Sequence, residues 1–195
     1  MIMYMERPFS RKDLWDAAGK AGLVLGLVST AYVLVSALLT KISGGAGMAF
    51  ISTIMAFLLW AAKFAGCILL MKFFMKKFAD AHPGIDNSGT FRFGMVTALL
   101  SALIFAAFDM AYITWINPDT MSQAIETVQE SYGSMLPEES LEALEEVNFG
   151  SVSFFTNLIY CFLFGTVLSA ILSRNIPSSN PFTNPGPYNN TPDDQ

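Results

Sequence analysis

Charge is what this sequence has least of: 14% of its 195 residues are Asp, Glu, Lys or Arg, where soluble domains carry about 25%. It has a single histidine and two cysteines. A structural zinc site needs four closely spaced Cys or His ligands, and a disulfide scaffold needs several cysteine pairs, so neither class fits. The net charge of −5 and the lack of a large basic cluster argue against a nucleic-acid partner. No G-x-S-x-G, H-E-x-x-H, phosphate-binding loop or dinucleotide fingerprint occurs, so no catalytic constellation is expected and no cofactor. Apolar residues are what is abundant. They make up 53% of the chain and include 17 Phe and 11 Met, more than a small soluble domain can bury. The composition is that of a polytopic membrane protein.

A membrane-crossing helix needs about 20 apolar residues to cover ~30 Å of hydrocarbon. Four stretches qualify: Ala21–Thr40, Met48–Met71, Phe93–Ile116 and Ser151–Leu172. The first and last carry no charge, the second holds Lys63 and the third Asp109. The first is too long for a signal peptide and lacks a small-residue cleavage site. The expected fold is an all-α integral membrane protein with four transmembrane helices and an extracytoplasmic amphipathic helical loop between spans three and four. Residues 1–20 form an N-terminal segment, 21–174 the membrane domain and 175–195 a tail. Translation from Met1 and from Met5 are both compatible with this plan.

Orientation follows from the flanking cations. Arg7, Arg11, Lys12, Lys20, Lys72, Lys76, Lys77, Arg92 and Arg174 flank one side, and Lys41 alone the other. The loop 117–148 has eight acids and no base. This asymmetry places both termini and the second loop in the cytoplasm.

The connections carry their own signals. Ser10 followed by Asp13 predicts a short capped helix, with Trp15 as an interfacial anchor at the cytoplasmic surface. The glycine-rich turn Lys41–Gly47 makes the first two spans antiparallel neighbours. His82, beside Pro83-Gly84, reads as part of a solvated turn rather than as a metal ligand. In the outer loop, Asn117-Pro118-Asp119 opens an amphipathic helix with Met121, Ile125 and Val128 on one side. Pro137 opens a second, with Leu141 and Leu144 on one side and acids on the other. These five apolar residues form a candidate interaction surface. Glu138, Glu142 and Glu145 share a face, read as solvated rather than as a calcium site, because no EF-hand loop is present. The tail, rich in Asn, Pro, Ser and Thr, is expected to be disordered.

Within the membrane, small residues let helices approach closely. Gly22 and Gly26 mark such a stripe on span one, and Gly94, Ala98, Ala102 and Ala106 on span three. Contact inside one chain is favoured over dimerisation. Cys67 and Cys161 read as small apolar fillers, and Asn157 and Tyr160 as interhelical hydrogen-bonding groups. Lys63 and Asp109 form a candidate intramembrane ion pair, direct or bridged by water. Lys63 lies about 21 Å below the outer edge and Asp109 about 10 Å, a gap narrowed because each side chain leans toward its own helix N-terminus. The competing arrangement leaves Lys63 alone and bonds Asp109 to Tyr112, Asn157 or water.

Met5-Glu6-Arg7-Pro8-Phe9, the glycine-containing first span, the Ser88–Gly94 stretch SGTFRFG and Trp115-Ile116-Asn117-Pro118-Asp119 together resemble domain of unknown function 4199, a family of small four-span bacterial membrane proteins. The resemblance runs over about residues 5–174. It implies an inner-membrane location and the same four-helix plan, with no activity, cofactor or catalytic residue to carry over. The expected function is that of a non-enzymatic structural or interaction protein of the bacterial inner membrane. Its partners would be the lipid bilayer and a second copy or another membrane protein. The alternative is an ion-, proton- or small-solute-transport subunit using Lys63 and Asp109.

Overall fold

The computed structural model describes residues 10–42, 49–82, 85–119, 126–127, 130–131 and 148–176. Among these there is no strand, and four long helices carry the fold. They are α1 (Arg11–Ile42), α2 (Ala49–Ala81), α3 (Asn87–Ala111, extended by a π-helical turn Tyr112–Ile116) and α4 (Phe149–Asn175). All four are long and apolar enough to cross a membrane. At 1.5 Å per residue, 27 to 33 residues span roughly 40–50 Å, so each expected apolar run continues as helix beyond the hydrocarbon.

The helix ends explain that extension. Helices stop where backbone groups find other partners, not where apolarity stops. Asp86 caps α3, its carboxylate accepting from the Gly89 amide at 2.8 Å. Asn148 caps α4 by accepting from Ser151 at 3.1 Å. Ser10 caps α1 by accepting from the Lys12 amide at 3.2 Å.

The helix expected before span one is not a separate element. It runs unbroken into that span as α1. No proline interrupts residues 11–42, and Leu14, Ala18, Ala21 and Leu25 form one buried stripe across the expected boundary at Lys20. Trp15 stands outside that stripe, exposed as an interfacial aromatic would be.

Helix α3 is the hub. It packs most broadly against α4 and next against α1, while α2 rests mainly on α1. Small residues set those approaches. A Cβ on Gly22 would sit 2.8 Å from the Leu100 Cβ, and one on Gly26 2.8 Å from Ile104 Cγ2. A Cβ on Gly165 would lie 2.5 Å from that of Ala98, and one on Gly94 would overlap the Ser169 hydroxyl. Ala98, Ala102 and Ala106 are buried on the same side of α3. Both small-residue stripes therefore serve contacts within the chain.

The densest core lies at the end bearing most Lys and Arg. There Met71, Met75 and Phe78 of α2 pack with Leu14 and Ala18 of α1, Phe93 of α3 and Leu172 of α4. The Phe78 and Phe93 rings stack at 4.1 Å. His82 closes the α2 terminus, its Nδ1 donating to the Phe78 carbonyl at 3.0 Å. The opposite half of α2 is largely uncovered, with Ile51, Phe57 and Leu58 exposed. On α4, Val152, Phe155, Ile159, Leu163, Val167 and Ile171 form a continuous outward stripe. Apolar faces this long suit lipid as the surrounding medium.

Several expected features lie outside the described residues. They are the turn at 43–47, the surface of Met121, Ile125, Val128, Leu141 and Leu144, Pro83-Gly84 and the tail from residue 177. Between α3 and α4, Glu126, Thr127, Glu130 and Ser131 are helical and exposed.

Candidate functional site

Polar side chains inside an apolar bundle cost free energy unless they are hydrogen-bonded, so where they meet is where chemistry or binding can reside. Two such places lie inside the membrane-spanning helices, at different depths.

The first is built on Asp109. Its Oδ2 accepts from the Ser153 hydroxyl at 2.6 Å and from Asn157 Nδ2 at 2.8 Å. Asn157 also donates to Ser153 Oγ at 3.2 Å. Ser153 and Asn157 stand one turn apart on α4, so both face one carboxylate on α3. This triad ties the two most extensively packed helices together.

The second is built on Lys63. Its ammonium lies 4.7 Å from the Tyr32 ring centroid and 4.9 Å from that of Phe105. Phe105 is one turn from Asp109 on α3, so Lys63 rests against the helix that carries the carboxylate. The expected direct pair between Lys63 and Asp109 is not formed: two donors on α4 hold Asp109, and two aromatic faces hold Lys63. A cation over aromatic faces gains about 0.5–2 kcal/mol, whereas a lysine at the centre of a membrane helix costs about 2.5–3.5 kcal/mol. The rings offset only part of that cost.

Depth is the signal that distinguishes these arrangements. Asn157 lies six residues into span four, about 9 Å from its outer edge, against about 10 Å for Asp109 on span three. Lys63, at about 21 Å, is the poorer match. Ser153, the remaining member of the triad, is not marked by sequence pattern at all, because serine is common in packed membrane helices.

Beside Lys63 is a cavity of about 150 Å³ whose wall draws on all four helices. Ser29 comes from α1, Cys67 from α2, Ser101 from α3, and Cys161 and Phe164 from α4. Both cysteines are free thiols. Ser29 Oγ and Cys67 Sγ share a 3.9 Å hydrogen bond, and Cys161 lines the same cavity as Lys63. The cysteines expected to be apolar fillers therefore border the polar zone. An aromatic ladder lines one side of the opening, with Phe57, Trp60, Phe64 and Phe164 in successive contact at 6.0, 5.5 and 4.9 Å. Among the described residues, no three His, Cys, Asp or Glu side chains cluster as metal ligands would.

No curated protein and no solved structure matches this chain. One family does, described as "Protein of unknown function (DUF4199)", over residues 20–174. The matched region begins after the Met5–Phe9 segment and includes α2, α3, the Asp109 triad and the Lys63 cavity. Its extent, over most of the sequence, shows that the chain belongs to this DUF4199 family of unknown function.

Proposed function

We propose that the protein is a non-enzymatic interaction protein of the bacterial inner membrane, with both termini and the α2–α3 connection in the cytoplasm. The observation that supports this reading best is the use made of Asp109. Its carboxylate is engaged by Ser153 and Asn157 as a link between helices, an arrangement suited to holding a scaffold rigid. A rigid bundle presents its terminal segments and the acidic stretch between α3 and α4 to partners on the two sides of the membrane. The positive-inside asymmetry supports the orientation. Crosslinking in native membranes followed by capture of the full chain tests the reading. A reproducible partner, lost when residues 120–147 are replaced by a neutral linker, is the expected result. A chain recovered alone under every crosslinking condition contradicts it.

A second reading, a transport subunit for an ion, proton or small solute, draws on the Lys63 cavity walled by all four helices. Flux in liposomes that disappears in both Lys63→Gln and Asp109→Asn would favour it. Because Asp109 is bonded away from Lys63, the two residues would act at separate points along the bundle.

A further inference from the structure

The cavity is lined by a cation, Lys63. Lys63 is flanked by the Tyr32 and Phe105 rings, and Asp109 is occupied by Ser153 and Asn157. Among the described residues, no carboxylate comes within ion-pair distance of the ammonium. The site is also open to one side. At the mouth between α2 and α4, Trp60 is 49% exposed and Tyr160 67%, while deeper in, Phe64 meets Phe164. In a bilayer this mouth faces acyl chains, not water.

Size and depth narrow the occupant. A cavity of about 150 Å³ is of the order that admits one benzene ring, so it takes a small head and its first few carbons. Lys63 lies about 12 Å along the helix from Met71 and about 21 Å from Ala49, well below either interface. A bulky phosphodiester head with its glycerol would have to leave its hydration shell to reach that depth. A carboxylate is small enough to enter and presents two acceptor oxygens to an ammonium with three donors. The remaining wall, with Leu25, Met71 and Leu168, suits methylenes.

We propose that this cavity binds the carboxylate end of a fatty acid, with Lys63 as its counter-cation and the acyl chain leaving between Trp60 and Tyr160 into the bilayer. The site requires the chain to span a membrane but does not depend on a protein partner, so it can fail without the interaction reading failing, and the reverse.

The full chain contains three tryptophans, so the Trp15→Phe/Trp115→Phe variant leaves Trp60 as the only indole, at the mouth of the cavity. Reconstituted in phosphatidylcholine bilayers at mildly alkaline pH, it is titrated with dibromostearic acid, with the methyl ester of that acid, and with brominated phosphatidylglycerol. Bromine quenches indole fluorescence on contact. Saturable quenching by the acid, with apparent affinity about tenfold above that of the ester, is expected from one charge-assisted contact. Lys63→Gln should bring the acid to the level of the ester, and Lys63→Arg should keep the preference. Should Lys63→Gln fail to fold, the acid–ester comparison in the parent and in Lys63→Arg decides the matter. Equal quenching by acid and ester in the parent would overturn the proposal, as would saturation by brominated phosphatidylglycerol alone.

Discussion

Asp109 and Lys63 are both charged and both inside the bundle, yet they are accommodated differently. The carboxylate takes two hydrogen bonds from α4, whereas the ammonium rests on two rings. A double-mutant cycle follows from this. Asp109→Ala and Asn157→Ala should couple by roughly 0.6 kcal/mol and at most about 1.7 kcal/mol, the range for interhelical hydrogen bonds in membranes, read from unfolding in mixed micelles. The charge swap Lys63→Asp with Asp109→Lys should give additive losses, since no direct pair exists to be rebuilt; recovery in the double variant would contradict that. The sequence makes both charges conspicuous, because each is alone in an apolar run. It does not make their partners conspicuous. Ser153 and Asn157 are 44 and 48 residues from Asp109 and are brought to it only by the packing of α3 on α4.

At the scale of elements, glycine position separates packing from propensity. Gly94 faces Ser169 and Met75 across a close approach, while a Cβ on Gly66 would meet nothing within 4 Å. Gly94→Ala should therefore destabilise the bundle by about 1–3 kcal/mol through overpacking. Gly66→Ala should be neutral or stabilising by up to about 1 kcal/mol, because alanine is the better helix former. Comparable losses in both would mean that helix propensity, not contact, governs these sites. Caps give a second test at this scale. Asp86→Ala should cost about 0.5–2 kcal/mol by releasing the Gly89 amide, and Asp86→Asn should retain most of the stability. The apolar runs were plain in the sequence because lipid imposes a single requirement on some twenty residues at once. The helix ends were less plain, since a single cap sets them: α3 begins at Asn87 rather than Phe93 for that reason. The continuity of α1 through Lys20 is a packing outcome, fixed by Leu14 and Ala18 docking on the bundle.

For the whole molecule, the arrangement is asymmetric along its long axis. The end carrying most of the Lys and Arg is closely packed around Met75, Phe78 and Phe93, while the far half of α2 stands largely uncovered and leaves the cavity open beside it. Nine of the eleven Lys and Arg residues fall in the sequence flanks on one side of the four apolar runs, and the positive-inside rule predicts a cytoplasmic location for that side. Paired topology reporters in living cells test most directly whether the chain is a four-span bundle with that end in the cytoplasm. A reporter fused after Gln195 should be active only as a cytoplasmic protein, and one inserted at Ser134 only as an external one. Both reporters on the same side of the membrane would contradict the four-span arrangement.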